Sequence, residues 1–243
     1  MRFFYLVITF LLTISLISST AHAVENKTLW KQWYTFTRDN TPFGYYVEEA
    51  ELRGKDQQIS VSQHWWEKAE NGIEEVYIGS VAKNDSQYTP VAFFVERKRA
   101  NGNYDIDGRV KNLLLTIRTK ANAQTPSSQN ITLGSKDILS NFLPLLIAKV
   151  HADKKAKELS YKAILEDGAN GNFGPEAGAS TWKAESKKWN GINCFRFENK
   201  FQNISSTWWV SAEGKTCAIS IPNLGAELRM AAEAEALKFL GNK

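Results

Sequence analysis

Few side chains in this chain are spaced for catalysis or for metal binding. His64 and His151 lie far apart in the sequence, and neither belongs to a ligand spacing typical of zinc sites. The adjacent carboxylates Glu48 and Glu49 lie in a strand-like segment, where neighbouring side chains point to opposite faces and cannot act as a close acid–base pair. No Gly-x-Ser-x-Gly motif occurs that would place a nucleophilic serine on a sharp turn. We therefore expect a protein that is not an enzyme and that holds neither a cofactor nor a metal ion.

Aromatic residues carry the strongest signal for binding, because four adjacent pairs of large rings lie in strand-like segments. They are Tyr45-Tyr46, Trp65-Trp66, Phe93-Phe94 and Trp208-Trp209. On a strand, each pair places one ring on each face of the sheet. Either both faces are covered, by a helix and by loops, or a concave apolar face holds a ligand. For the second interpretation, the candidate ligand-binding residues are Trp65, Trp66, Phe94, Trp208 and Trp209.

Alternation and turn chemistry predict the elements that position these rings. Residues 30–120 alternate polar and apolar side chains between short turns rich in Asn, Asp and Gly, which predicts a β-meander. The same pattern returns over residues 159–230, and residues 231–240, rich in Ala, Glu and Leu, favour a short C-terminal helix. We expect a mainly β protein with one domain over residues 24–243. Its fold class is a curved antiparallel sheet or half-barrel of two meanders with a central helix.

The central helix is predicted over residues 136–150, the longest apolar stretch outside the N-terminus. Apolar residues recur there at spacings of three and four, as on one face of a helix. Pro144 lies within the pattern, so we expect a kink or two short helices. Leu139, Phe142 and Leu146 are expected to pack against the sheet.

The N-terminal residues 1–23 have the features of a cleaved signal peptide. Arg2 supplies a positive charge, residues 3–17 are mostly apolar and uncharged, and Ala21-His22-Ala23 matches a small-x-small cleavage site. A membrane anchor is the alternative, but the apolar run is shorter than the roughly 20 residues that a span needs. We therefore expect a periplasmic or secreted protein whose mature chain begins at Val24 and has no membrane span.

The charge balance is weakly basic, with a formal net charge of +4 spread along the chain. The densest lysine pairs, Lys154-Lys155 and Lys187-Lys188, are typical of solvated surface. A basic patch this small on an exported protein argues against nucleic acid as a partner.

Cys194 and Cys217 are the two cysteines of the chain, and an oxidising compartment favours a disulfide between them. Strand geometry favours separate thiols. Cys194 shares the polar face of its strand with Arg196, whereas Cys217 shares the apolar face of its strand with Ile219. The strand of residues 205–211 would also separate them, and next-nearest strands lie about 10 Å apart, beyond the roughly 7 Å that a bridge allows. We predict two free thiols and keep the bridge as the alternative.

Short motifs across residues 30–230 resemble a family of exported bacterial proteins. They are the opening strand Trp33-Tyr34-Thr35-Phe36, Gly44, Pro90 before an aromatic strand, Asp137-Ile138-Leu139-Ser140 with Leu143-Pro144, and Thr207-Trp208-Trp209-Val210-Ser211 before Gly214. On these residues the chain resembles domain-of-unknown-function family 3108. The resemblance implies a curved antiparallel sheet similar to the half-barrels of outer-membrane lipoprotein carriers, and it brings no catalytic residues.

Two classes of function follow from these features. The first is an exported cell-envelope protein that binds a hydrophobic or amphiphilic ligand (a lipid, glycan or peptide) on its curved sheet. The second is a non-catalytic envelope scaffold or secretion accessory that contacts a protein partner through a sheet edge or through the glycine-rich loop of residues 167–178. An open apolar cavity favours the first class, and a filled core with an exposed edge favours the second.

Overall fold

The structure of the protein is a computed structural model. It describes residues 26–54, 57–70, 72–100, 102–122, 125–154, 157–168, 171–239 and 241. The predicted signal peptide, residues 1–23, lies outside the described residues.

Within the described residues the chain forms one curved, unclosed sheet of 15 strands. The strands are β1 (Lys27–Arg38), β2 (Thr41–Arg53), β3 (Gln58–Ala69), β4 (Gly72–Lys83), β5 (Pro90–Lys98), β6 (Tyr104–Lys111), β7 (Leu114–Ala121), β8 (Ser127–Thr132), β9 (Asp137–Leu139), β10 (Glu158–Ile164), β11 (Glu176–Trp189), β12 (Ile192–Phe201), β13 (Ile204–Ser211), β14 (Thr216–Ile221) and β15 (Ala226–Ala231). Two α-helices accompany them, α1 (Leu143–Lys154) and α2 (Glu233–Lys238). The predicted fold class is confirmed.

The strand order places the first and the last described strands in the middle of the sheet. It runs β8-β7-β6-β5-β4-β3-β2-β1-β15-β14-β13-β12-β11-β10-β9, so β1 pairs with both β2 and β15. Each predicted meander therefore forms one half of the sheet, and the β1–β15 pair joins the halves. The free edges are β8 and β9, which follow each other in the sequence, and α1 comes directly after β9.

Helix α1 packs on the face that we call the inner face. Phe142 and Leu143 at its start, and Ile147 within it, are at most 2% exposed and belong to the main core cluster. The same cluster holds Val61 and Phe93 from the first half of the sheet, together with buried residues of the second half. One helix therefore packs on the inner side of both halves.

The predicted helix boundaries need correction at both ends, because α1 covers Leu143–Lys154 rather than 136–150. Asp137–Leu139 is not helical but forms β9, which pairs in parallel with Lys162–Ile164 of β10. A 3-10 turn over Ser140–Phe142 follows, and α1 then begins at Leu143. Pro144 therefore lies in the first turn of α1, where its missing N–H is not needed. The apolar spacing was misleading because Ile138 and Leu139 are buried by strand pairing rather than by a helical face.

The C-terminal helix is also shorter than the predicted 231–240. Ala231 is the last residue of β15 and pairs with Trp33, and α2 covers only Glu233–Lys238. Ala236 of α2 is fully buried and packs in a small cluster with Tyr45. This helix lies on the outer face, opposite to α1, because Tyr45 alternates with the inner-facing Tyr46.

The cysteine prediction is wrong, because Cys194 and Cys217 form a disulfide. The predicted strand order is right, but Trp209 pairs with Ala218 whereas Val210 pairs with Thr216, so Cys217 is the extra residue of a bulge. A bulge bends its strand, and the two Cα atoms lie 6.5 Å apart, within bridging range. Both sulfur-bearing residues are fully buried in one cluster with Tyr34, so the side of β12 that carries Cys194 is not simply a solvent face.

Candidate ligand-binding cleft

A cleft of about 660 Å³ opens between α1 and the edge strands of the second half of the sheet. Its walls come from β9, α1, β10 and β11, with Ser86 and Gln87 of the β4–β5 loop at one end. The chain places it there because β9 and α1 are consecutive, so the helix starts over the strands with which β9 pairs.

The floor of the cleft is apolar. It is lined by Ile138, Leu146, Val150, Leu159 and Tyr161. The ring of Tyr161 lies over Gly178 of β11, where any β-carbon would overlap it, so the small residue lets the ring lie flat against the sheet. These side chains provide a surface that can exclude water from a hydrocarbon chain.

The rim of the cleft is cationic. Lys136, Lys149 and Lys162 line it, and no described carboxylate forms an ion pair with any of the three. Lys149 Nζ instead donates a hydrogen bond to the backbone carbonyl of Asp85 at 3.2 Å. The carboxylate of Asp137, also in the lining, is buried and accepts the Gly134 N–H at 2.7 Å. Three ammonium groups and one carboxylate therefore line the cleft, which gives a net positive charge around an apolar floor.

A buried carboxylate fixes the start of α1 above this floor. Glu166 is 2% exposed and accepts hydrogen bonds from the Ser80 hydroxyl at 2.9 Å, from the Asn141 N–H at 3.2 Å and from the Ser140 hydroxyl. Asn141 also donates its side-chain amide to Ser80 Oγ at 2.9 Å. Burial raises the pKa of Glu166, although these hydrogen bonds oppose the shift. The network connects β4, the 3-10 turn and the segment that follows β10 through hydrogen bonds.

Replacing Glu166 with glutamine should remove a pH dependence of stability. Because the pKa of Glu166 is raised in the folded state, folding favours its protonated form. The associated stability is present below the ordinary glutamate pKa of about 4.3 and is lost as pH rises through the folded-state value. The gap in unfolding free energy between Glu166→Gln and the wild type should therefore grow in favour of the variant as pH rises from about 4 to 7. Urea unfolding at several pH values measures it.

The control for this pH series is Glu158→Gln, at an exposed position of β10. Its gap to the wild type should stay constant over the same pH range. Parallel stability curves for Glu166→Gln and the wild type would contradict the role assigned to Glu166.

The tyrosine of the cleft serves as a hydrogen-bond donor to β12. Tyr161 donates its hydroxyl to Asn199 Oδ1 at 2.7 Å, and burial raises its pKa to about 12. A phenol with that pKa remains protonated near neutral pH. The described residues also hold no group of three or more His, Cys, Asp or Glu placed to bind a metal ion.

The five aromatic residues singled out from the sequence do not meet in one cavity. Trp65 stacks on Tyr46 with ring centroids 3.9 Å apart, within the inner face. Trp208 packs against the main core cluster, and Trp209 packs against the cluster that holds the disulfide. Trp66 and Phe94 lie on the outer face. The doublets do split between the two faces, as alternation predicted, and this separation is what keeps them from forming a single site.

His64 and His151 are likewise separate. His64 Nε2 lies 2.6 Å from Glu75 Oε1 on the outer face, whereas the His151 ring packs 4.5 Å from that of Trp182.

The cleft residues were missed by the sequence analysis. Leu159 and Tyr161 alternate with Lys162 in a strand pattern, and Lys149 follows the apolar face of the predicted helix. These signals show that each segment is amphipathic, but they do not show that the two segments face each other.

Comparison of the chain with protein-family models, with curated proteins and with solved structures finds no match. The resemblance to domain-of-unknown-function family 3108 therefore stays a prediction. Among the described residues, no helix combines the length and the apolar character needed to cross a membrane.

Proposed function

We propose that this protein is an exported cell-envelope protein that binds an amphiphile in the cleft, with an acyl chain on the apolar floor and an anionic headgroup at the rim. The observation that carries the proposal is the ring of three lysines around an apolar cleft beneath α1. The export is the expectation drawn from residues 1–23, and it supports a carrier or binding role in the envelope.

The size and lining of the cleft support a ligand of this kind. Its volume of about 660 Å³ falls within the roughly 300–1,000 Å³ typical of small-molecule sites. Such sites are mostly apolar, with a few polar groups that fix orientation. Each methylene of an acyl chain transferred from water to such a floor contributes about 0.8 kcal/mol.

The rim supports an anionic headgroup. Lys136 and Lys162 are exposed, and an ammonium group on a flexible stem can reach a carboxylate or phosphate as a point charge. Charge-assisted hydrogen bonds of this type are the stronger ones. An uncharged hydrocarbon would gain nothing from the lysines, so the headgroup is the part of the ligand that they select.

Titration with a fluorescent long-chain fatty acid and with its uncharged methyl ester tests the proposal. The acid should bind saturably and more tightly than the ester. The triple variant Lys136→Gln/Lys149→Gln/Lys162→Gln should weaken binding of the acid by about tenfold or more, since it removes three charge-assisted contacts. Val150→Trp should weaken acid and ester alike by filling the cleft.

The matched control is Lys183→Gln/Lys188→Gln/Lys200→Gln, which removes the same charge from exposed positions of β11 and β12. It should bind the acid like the wild type. An absence of saturable binding, or equal weakening by both triple variants, would overturn the proposal.

The scaffold alternative is favoured by one observation, the free edge of the sheet. Among the described strands β8 pairs only with β7, and five of its six residues are exposed. The backbone groups on its open side could pair with a strand from a protein partner. A folded protein that binds neither acid nor ester would favour this alternative.

A further inference from the structure

A row of rings crosses the outer face of the first half of the sheet. In spatial order its members are Trp33, Tyr45, Trp66, His64, Tyr77 and Phe94. The ring centroids lie 5.0 Å apart for Tyr45 and Trp66, 3.9 Å for Trp66 and His64, and 5.2 Å for Tyr77 and Phe94. We call this set the aromatic row.

The strand register builds the aromatic row. Tyr45 pairs directly with Trp66, and His64 pairs directly with Tyr77. Residues directly opposite on antiparallel strands share a face and lie close enough for their rings to interact. Each doublet partner (Tyr46, Trp65 and Phe93) points to the inner face instead. The alternation that points one ring of each doublet into the core therefore points the other ring to the outer face, where it joins the row.

The two ends of the aromatic row differ in exposure. At one end, Trp33 and Tyr45 pack in the cluster of Ala236 and are partly covered by α2. At the other end, the Phe94 side chain lies over Gly79 and the residue is 43% exposed. Tyr77 beside it is half-buried. The part of the row from Trp66 to Phe94 therefore presents ring surface to solvent.

Two shallow depressions flank Phe94. One has a volume of about 480 Å³ and is lined by Glu96, Asp105, Asp107, Arg118 and Lys120, among others. The other, of about 330 Å³, is lined by Val81, Ala92, Asp107 and Arg109, among others. An exposed ring thus stands between two hollows whose walls carry both hydrogen-bond donors and acceptors.

The charges around the aromatic row balance. Four carboxylates (Glu75, Glu96, Asp105 and Asp107) and four basic side chains (Lys98, Arg109, Arg118 and Lys120) lie beside it on the outer face. Several of them already pair, such as Arg109 with Asp107 at 3.0 Å. A surface of this kind has no excess charge to attract an anionic polymer, so the occupant it fits is uncharged.

The position of the row also disfavours an extended peptide. Strands β3, β4, β5 and β6 are each paired on both sides, so no backbone edge is open for strand addition. What remains is stacking on flat rings together with hydrogen bonds to side-chain carboxylates and guanidinium groups. A sugar ring matches both, because it presents C–H groups on its faces and hydroxyl groups around its edge.

We propose that the aromatic row binds an uncharged oligosaccharide or polysaccharide, with sugar rings stacked on Tyr77 and Phe94 and hydroxyl groups bonded in the flanking depressions. This site lies on the opposite face of the sheet from the cleft beneath α1 and goes beyond the amphiphile proposed there. One protein would then contact a glycan with its outer face and an amphiphile with its inner face.

Isothermal titration calorimetry with maltohexaose, cellohexaose and chitohexaose tests the glycan site. At least one of these neutral hexasaccharides should bind saturably at millimolar concentrations. Tyr77→Ala/Phe94→Ala should weaken that binding by about tenfold or more, because two stacking contacts are lost. Leu224→Ala/Leu237→Ala, which truncates two exposed apolar residues elsewhere, should not change it.

Phe94→Leu provides a second variant that keeps apolar bulk over Gly79 but removes the ring; it should also bind more weakly. Binding of the fluorescent fatty acid should be unchanged in these variants, which separates this proposal from the cleft. No binding of any hexasaccharide, unchanged binding by Tyr77→Ala/Phe94→Ala, or tighter binding of dextran sulfate than of the neutral sugars would overturn the proposal.

Discussion

Replacing Phe142 with alanine is expected to lower the free energy of unfolding by about 3–5 kcal/mol. The side chain is fully buried at the start of α1, where its ring lies parallel to that of Tyr88 with centroids 5.8 Å apart. Deleting it removes apolar contacts and leaves a cavity that the surrounding strands can fill only in part. The neighbouring residues Ser140 and Asn141 donate hydrogen bonds to Glu166. A cavity at Phe142 should therefore also weaken the hydrogen bonds that hold the start of α1.

Urea unfolding followed by circular dichroism measures this effect as a lower denaturation midpoint. Phe94→Ala is the matched control, since it makes the same substitution at a residue that is 43% exposed. Its cost should stay near the roughly 0.5–1.5 kcal/mol of one aromatic pair. Equal midpoints for the two variants would show that the start of α1 is not part of the cooperative core.

Removing the disulfide should cost about 3 kcal/mol. Cys194 and Cys217 are 23 residues apart, and in the chain-entropy model a bridge of this span restricts the unfolded chain by that amount. The double variant Cys194→Ala/Cys217→Ala is preferred to serine, because both positions are fully buried and alanine adds no polar group to them. We expect a lower urea midpoint with an unchanged circular dichroism spectrum of the folded state.

A reductant supplies the control for this prediction. Reduced wild type should unfold near the midpoint of the double variant, whereas the variant itself should not respond to reduction. Alkylation of unreduced, denatured protein followed by mass spectrometry should find no modified cysteine. Two alkylated cysteines would restore the free-thiol prediction made from strand geometry.

Several elements were predictable from the sequence because their causes are local. Alternation of side chains fixes which rings point to opposite faces, and the doublets Tyr45-Tyr46 and Trp65-Trp66 split between the faces as expected. Asn190-Gly191 joins β11 and β12 through two residues with φ of 46° and 83°, a conformation that these residue types tolerate well. Strand content and sequential hairpins follow from such short-range rules.

The errors arose where a local pattern had two meanings. The spacing of Ile138, Leu139 and Phe142 fits one face of a helix, yet the first two are buried by pairing with β10 and only the third packs at the start of α1. Cys217 was assigned to a face by strict alternation of side chains along β14. A single bulged residue breaks that alternation, so the assignment failed. Neither the parallel pairing of β9 nor the bulge at Cys217 is marked by a characteristic residue type, so the sequence did not reveal either one.

By itself, the sequence determined a mainly β protein with apolar side chains on both faces of its sheet and one helix between its halves. The reason is local, because adjacent residues of a strand point to opposite faces. The tertiary structure alone decided the pairing of β1 with β15, the bridge between Cys194 and Cys217, and the burial of Glu166. It also decided that Lys136, Lys149 and Lys162 surround one cleft. These are contacts between segments distant in the chain, and they depend on strand order and register, which the packing of the whole sheet selects rather than any one segment.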